Sequence, residues 1–343
     1  MNIGLFEVNQ LGDNVVFLPV VQALRMRFPA WKIFLATTPT AAQLYDADVP
    51  PARRLVIPLA DFRRAWRHPI RLARLVARVF SERLDASILA DDQGNVAHLL
   101  ALFAGGRVRA GMRRDYVKVP RSLTHAVPPL AGKSPAIQNW EIARAAIRAL
   151  GGGDLPATPS APDLGHLLLG AVRRPKRIIV HPGASMAFKR WPADRFRELA
   201  VRLAGDFEVI WIEQPELGEI RLPDTVTRVA PASLGEFVHL LGTASLLVGN
   251  NSGPMNLAAA IGTPAVILSG PSHPIWDPIW NAEKILILRD ASVSCIPCEQ
   301  ERRPSMQCTN FANPMACMNA WSVETVHART LEWAAHHAAA ATP

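Results

Sequence analysis

Short apolar runs alternate along this chain with longer stretches in which apolar residues return every three or four positions, the pattern of strands feeding helices. The first run, Ile3–Val8, reads as a strand that passes through a loop at Asn9–Gly12 into a helix over Asn14–Phe28. Pro29 stops that helix, and Trp31–Ala36 is the next strand. Further strands are expected at Leu55–Ile57, Ala86–Ala90 and Val108–Ala110. Helices are expected over the Arg-rich segment, Asn95–Leu102 and Ile137–Leu150. After a stretch rich in Gly, Pro, Ala and Thr (Gly151–Pro162) the alternation restarts. Strands fall at Arg177–Val180, Phe207–Glu213, Leu246–Val248 and Ala265–Ser269, with helices at Ala193–Ala204, Leu234–Leu241 and Pro254–Ala260. A last periodic segment, Ser322–Ala341, reads as a helix.

Two such series separated by a linker predict an α/β protein of two doubly wound, Rossmann-like domains facing a central cleft, residues 1–160 and 161–343. No repeat of the solenoid kind is visible, and no apolar run reaches the ~18 residues needed to span a bilayer. Met1 leads directly into a strand without a basic, signal-type segment, so a cytoplasmic protein is expected.

Composition adds one feature to this picture. With 49% hydrophobic and 19% charged residues the chain is of the folded, globular class, but its net charge of +8 is carried mainly by clustered arginines. Arg63, Arg64, Arg67, Arg71, Arg74, Arg78 and Arg83 are interleaved with Trp66, Leu72, Leu75, Val76 and Val79, the spacing of one basic amphipathic helix. Such a helix suits an anionic surface, whether lipid headgroups or phosphorylated or acidic sugars, with Arg63, Arg64, Arg67 and Arg71 as its contacts; it equally suits a solvated face. Only 2 Tyr are present and no zinc-finger helix is readable, which disfavours nucleic acid.

Three strand-to-helix loops carry candidate chemistry. In Asn9-Gln10-Leu11-Gly12-Asp13, Gly12 permits close backbone approach, and Asp13 suits either a helix cap or a general base that takes a proton from an incoming hydroxyl. In the loop from His181 to Pro192, Ser185 offers a hydroxyl and Lys189 a positive charge. In Gly249-Asn250-Asn251-Ser252-Gly253-Pro254, a strand meets a helix N-terminus through small residues, the geometry of a phosphate cradle or of an ordinary β-to-α turn. Neither G-x-G-x-x-G after the first strand nor G-x-x-x-x-G-K-[ST] occurs, which disfavours a nicotinamide dehydrogenase and a P-loop ATPase. No D-x-D pair sits in a strand-end loop. Asp91 and Asp92 are adjacent, and adjacent strand positions face opposite ways.

These loops in this order resemble glycosyltransferase family 9, the ADP-heptose:lipopolysaccharide heptosyltransferases and their relatives. The matching residues are Leu11-Gly12-Asp13 with Leu18-Pro19, Asp91 with Gln93-Gly94-Asn95, His181-Pro182-Gly183-Ala184-Ser185 with Lys189-Arg190-Trp191-Pro192, Gly249 to Met255, Gly262-Thr263-Pro264 and Gly270-Pro271. The resemblance implies a GT-B fold with the donor nucleotide on the C-terminal domain and the acceptor on the N-terminal one. It implies inverting transfer of a sugar, a heptose from ADP-heptose, to a lipopolysaccharide core or related acceptor, with no catalytic metal. Asp13 would be the base, Ser185 and Lys189 would contact the donor phosphates, Asn251, Ser252 and Gly253 would hold the diphosphate, and Glu216 would reach the ribose. The family more often carries Asp at position 251 and His at position 256. Asn251 and Asn256 stand here, and an amide brings hydrogen bonds without charge. The alternatives are a protein (autotransporter-type) heptosyltransferase and a non-catalytic nucleotide-sugar or glycan-binding subunit. Peripheral contact with the inner face of the cytoplasmic membrane is compatible with each.

All 4 cysteines, Cys295, Cys298, Cys308 and Cys317, fall in one C-terminal segment with the spacing C-x2-C-x9-C-x8-C. That pattern predicts one tetrahedral thiolate site for structural zinc or iron, or else free or redox-active thiols. Some family members that glycosylate autotransporters carry a comparable cysteine-ligated iron.

Overall fold

The structure is a computed structural model describing residues 1–298, 307–308 and 310–339. The chain forms two compact units, Met1–His166 and Leu167–Pro343. In the first, the strands β1 (Asn2–Phe6), β2 (Lys32–Thr37), β3 (Arg54–Val56), β4 (Ala86–Leu89), β5 (Val108–Met112) and β6 (His125–Val127) form one parallel sheet in the order β3-β2-β1-β4-β5-β6. Its helices are α1 (Leu11–Arg27), α2 (Leu59–Arg64), α3 (Pro69–Phe80), α4 (Asn95–Ala104) and α5 (Pro135–Ala149). Helix α1 packs with α5, and α3 with α4. The central strands are buried along nearly their whole length, because a parallel sheet is covered on both faces.

The second unit repeats the design. Strands β7 (Arg177–His181), β8 (Glu208–Ile212), β9 (Val226–Val229), β10 (Leu246–Asn250), β11 (Ala265–Leu268) and β12 (Ile285–Leu288) form a parallel sheet in the order β12-β11-β10-β7-β8-β9. Helices α6 (Ala193–Leu203), α7 (Leu234–Thr243), α8 (Gly253–Ile261), the single turn α9 (Ala316–Asn319) and α10 (Val323–Ala339) complete it. One apolar core joins Trp191, Phe196, Leu199 and Trp211 to Val248, Val266, Leu288 and Met318, and Val323 and Val326 bring α10 onto it.

In each sheet the chain builds outward one way from its first strand and then resumes on the other side with its fourth. The reversal falls between β1 and β4 in one unit and between β10 and β7 in the other. The loops leaving neighbouring strands diverge there, which opens a crevice at the carboxyl ends.

The elements differ from the sequence expectation in three ways. Helix α1 begins at Leu11 rather than Asn14, because Gln10 and Asp13 close its first turn. The Arg-rich segment is not one helix: it is α2, a 3₁₀ turn over Ala65–Arg67, and α3. Pro69 disfavours helical backbone at the preceding residue, and His68 takes φ −128°, ψ 89°. Strands β6, β9 and β12, all at sheet edges, were not expected. Residues 299–306 and 309 of the Cys-rich segment, and the end of the last helix beyond residue 339, lie outside the described residues.

Candidate active site

In the first unit, the loop after β1 and the loop after β4 flank the reversal point. Asp13 is the third residue of α1, and its Oδ2 accepts from the Gln10 backbone N–H at 3.1 Å. The carboxylate therefore caps the helix from inside its first turn while staying half-exposed, with Gly12 half-exposed beside it. The loop is held from below. Buried Asn14 accepts from Thr37 Oγ1 (2.7 Å) and Tyr45 Oη (2.9 Å), and donates to the carbonyls of Asn9 (3.3 Å) and Gln10 (2.9 Å).

The loop after β4 crosses to the same place. Gln93 Oε1 accepts from the Val8 N–H (3.3 Å), Gln93 Nε2 donates to Glu7 Oε1 (3.4 Å), and Asn9 Nδ2 donates to Asp92 Oδ1. Asp91 turns away, taking Arg114 on its carboxylate (3.2 Å) and giving its N–H to Asn139 Oδ1 (2.8 Å). Glu7 is 1% exposed. Burial first, and then the charges of Asp13, Asp92 and Asp91, push its carboxyl well above the ordinary carboxylate range. Sequence reasoning passed over Glu7, and named Asn9 and Gln93 within their segments without giving either a role. The available signal was a charged residue directly continuing a buried apolar strand.

The four arginines assigned to an anionic partner separate. Arg63 points back into this site and donates to Asn9 Oδ1 at 3.0 Å. Arg71 is ion-paired with Asp61 at 2.6 Å, Arg67 lies over the Trp66 ring at 5.0 Å, and Arg64 is exposed.

In the second unit, the loop after β7 and the turn after β10 flank the reversal point, and the side chain of Asn250 joins them. Its Nδ2 donates to Pro182 O (2.7 Å), and its Oδ1 accepts the Trp191 N–H (2.9 Å). The segment bearing Ser185 (exposed) and Lys189 (half-buried) is thereby tied two residues from Ser252. Ser252 is the N-cap of α8, yet its hydroxyl donates to Asn250 O (3.2 Å) and does not cap the helix. Gly253 and Asn256 lie half-buried on the first turn, and Pro254 starts the helix without needing an N–H partner. Asn251 is buried and donates to Ser269 Oγ at 3.0 Å. From the end of β8, Gln214 lies over Gly183, where a Cβ would meet its side chain at 2.2 Å. Glu216 pairs with Arg190 at 3.7 Å.

Desolvation pushes His181, the last residue of β7, down to about 4, so it is neutral at physiological pH. The positive charge on this side comes from Lys189, Arg190 and the helix N-terminus.

Two of the cysteines, Cys298 and Cys317, lie against the segment after β11. Cys298 N–H donates to Pro271 O (2.9 Å), and Met315 N–H donates to Cys308 Sγ (3.3 Å). Asn310 Nδ2 lies 3.6 Å from Cys295 Sγ, and a Cβ on Gly270 would meet Cys317 Sγ at 2.6 Å. Burial and then the charges of Cys298, Cys295 and Cys308 push the Cys317 thiol up to about 11. None of the four forms a disulfide. Among the described residues no group of three or more Cys, His, Asp or Glu side chains is gathered closely enough to hold a metal ion.

Two parallel, doubly wound units, each with polar loops at the reversal point of its sheet, define the GT-B class of glycosyltransferases. The chain belongs to glycosyltransferase family 9 (heptosyltransferase), which it matches over residues 72–308. It is 25% identical over 318 residues to lipopolysaccharide heptosyltransferase 1 of Pseudomonas aeruginosa, covering 87% of this chain and 86% of that one. Among solved structures, Escherichia coli heptosyltransferase WaaC with ADP-2-deoxy-2-fluoro heptose superposes with a TM-score of 0.69 at 17% identity, covering 97% and 99% of the two chains. The iron-containing dodecameric glycosyltransferase TibC of enterotoxigenic E. coli superposes with a TM-score of 0.55 at 14% identity, covering 97% and 78%.

Proposed function

We propose that the protein is an inverting, metal-independent heptosyltransferase that uses ADP-heptose as donor and a lipopolysaccharide core sugar as acceptor. The observation that carries this reading is the contrast between the two reversal points. One unit presents a half-exposed carboxylate, Asp13, and the other a cationic loop tied to a helix N-terminus. The first suits a group that loses a proton, the second a group that leaves as an anion. In the step itself the acceptor oxygen bonds to the anomeric carbon. The bond from that carbon to the diphosphate oxygen breaks with its electron pair, and the hydroxyl proton passes to Asp13. Lys189, Ser185 and the start of α8 (Ser252, Gly253) take the departing diphosphate, and Glu216, held by Arg190, faces the nucleoside. A relative named for lipopolysaccharide and one described with ADP-2-deoxy-2-fluoro heptose support acceptor and donor class.

A second reading, a protein acceptor, is favoured by one observation: all four cysteines fall in one segment, alongside a structural relative named as iron-containing. In either case we infer that Cys295, Cys298, Cys308 and Cys317 close around one structural zinc or iron ion. Four sulfurs suit both metals and leave no open position for catalysis, so the ion would supply order to the segment.

Asp13→Ala tests the transferase reading. The expected result is a fall in turnover of about 10² to 10⁴ with ADP affinity retained. Near-normal turnover would return Asp13 to its role as a helix cap, and would leave a sugar-nucleotide-binding subunit or a different base as the explanation.

A further inference from the structure

The outward face of α3 departs from what water alone would select. Its inward stripe is Leu72, Leu75, Val76 and Val79, on the helix that packs with α4. At about 100° per residue, Ile70, Ala73, Arg74 and Ala77 share the opposite face, and Phe80 lies on its edge. A solvated helix places charges there. Here Ile70 is 72% exposed and Phe80 65% exposed. The 3₁₀ turn just before the helix adds Trp66, 61% exposed, and α4 adds Phe103, 49% exposed.

The charges border these apolar groups. Residues 61–83 hold seven arginines against two carboxylates, Asp61 and Glu82. Those carboxylates are taken by Arg71 on one side and by Arg53 and Arg78 on the other. Arg64, Arg67 and Arg74 have no ion pair among the described residues, and Arg67 stacks on Trp66. Large exposed apolar side chains rimmed by unneutralised guanidinium groups match a surface that is apolar at depth and anionic at its boundary.

We propose that this face, formed by Trp66, Ile70, Arg74 and Phe80 with Arg64 and Arg67 at its rim, docks on a bilayer containing anionic lipid. The apolar side chains sit at the level where headgroups meet acyl chains. A soluble phosphorylated sugar would engage the arginines but would leave Ile70 and Phe80 in water, so it accounts for half of the pattern. No helix among the described residues is long and apolar enough to cross a membrane, and a surface contact requires none. The inference goes beyond the transferase reading, and its test uses no sugar nucleotide, so either can fail alone.

The test is co-sedimentation of the full chain with large vesicles of phosphatidylcholine alone, or with about one-third phosphatidylglycerol. Binding is expected only to the anionic vesicles and is expected to weaken as salt is raised. The combined change Arg64→Gln, Arg67→Gln, Arg74→Gln should weaken it about a hundredfold, about fivefold for each charge. The pair Ile70→Ser, Phe80→Ser should weaken it without altering the salt dependence. All five positions are exposed or edge positions, and circular dichroism reports whether the variants remain folded. The proposal is overturned by absence of vesicle binding, by equal binding to both vesicle types, or by anionic binding indifferent to Ile70→Ser, Phe80→Ser. It is also overturned if a deacylated, phosphorylated oligosaccharide binds in an arginine-dependent way while vesicles do not, which would give the face to a soluble glycan.

Discussion

Glu7 and Lys189 are the two residues whose surroundings make the sharpest demands. Glu7 lies at the end of a buried strand among three other carboxylates, and its carboxyl is held well above its ordinary range, chiefly by burial. A carboxyl whose folded value exceeds the unfolded one stabilises the fold fully below the unfolded value, and that contribution is lost as pH rises through the folded value. Glu7→Gln removes the titration and keeps the shape. The thermal midpoint of this variant should therefore gain on wild type as pH rises from the ordinary carboxylate range towards the raised Glu7 value, measured by scanning calorimetry. A difference that does not change with pH would mean that Glu7 titrates normally. Lys189, on the loop that Asn250 ties beside Ser252, supplies charge that the neutral His181 cannot. Lys189→Ala should weaken ADP binding by about ten- to a hundredfold, since a hydrogen bond to a charged group is worth about 1.5 to 3 kcal/mol. Unchanged affinity by titration calorimetry would remove Lys189 from the donor site.

At the scale of elements, the proposed donor side depends on how closely β10 approaches β7. Gly249 pairs with His181 across that junction, and a Cβ on it would come 2.9 Å from the His181 carbonyl oxygen, a backbone atom that cannot swing aside. Gly249→Ala should push the strands apart and carry Asn250, and with it the 182–191 loop, out of register. The expected result is a loss of about 1 to 3 kcal/mol in urea unfolding together with weaker ADP binding. Wild-type values for both would show that the junction yields without consequence. The reach of sequence patterning also shows at this scale. The central strands β1, β4, β7, β10 and β11 are near-continuous apolar runs, and their position was legible. The edge strands β6 and β9 are short and half-solvated, so they lack the run that betrays a buried strand, whereas β12 (Ile285–Leu288) does carry a short apolar run that was passed over. The Arg-rich helix was misread as continuous because its apolar spacing runs through Pro69, whose steric effect on His68 overrides the periodicity.

At the scale of the whole molecule, the four cysteines of one segment make a prediction about composition rather than rate. Protein purified without chelator should contain about one zinc or iron per chain, and removing it should lower the melting temperature. Less than about a tenth of an equivalent, with four thiols titrating freely under reducing conditions, would reject the ion. The sequence by itself determined the α/β class, the doubling of the unit, the three loops at strand ends and the gathering of every cysteine into one segment, because periodicity and short-range spacing are local properties. Only the tertiary structure decided which loops become neighbours. Strand order sets the β1–β4 and β10–β7 junctions, and these bring Gln93 to Glu7, Asp92 to Asn9 and the Lys189 loop to Asn250. It also decided that Arg63 reaches Asn9 while Trp66, Ile70 and Phe80 stay in the open, since which side chains find a partner depends on what packs beside them. Contacts between residues 80 or more positions apart leave no periodic trace in a single chain, and they are what set Asp13, while it caps its helix, among the carboxylates that surround buried Glu7.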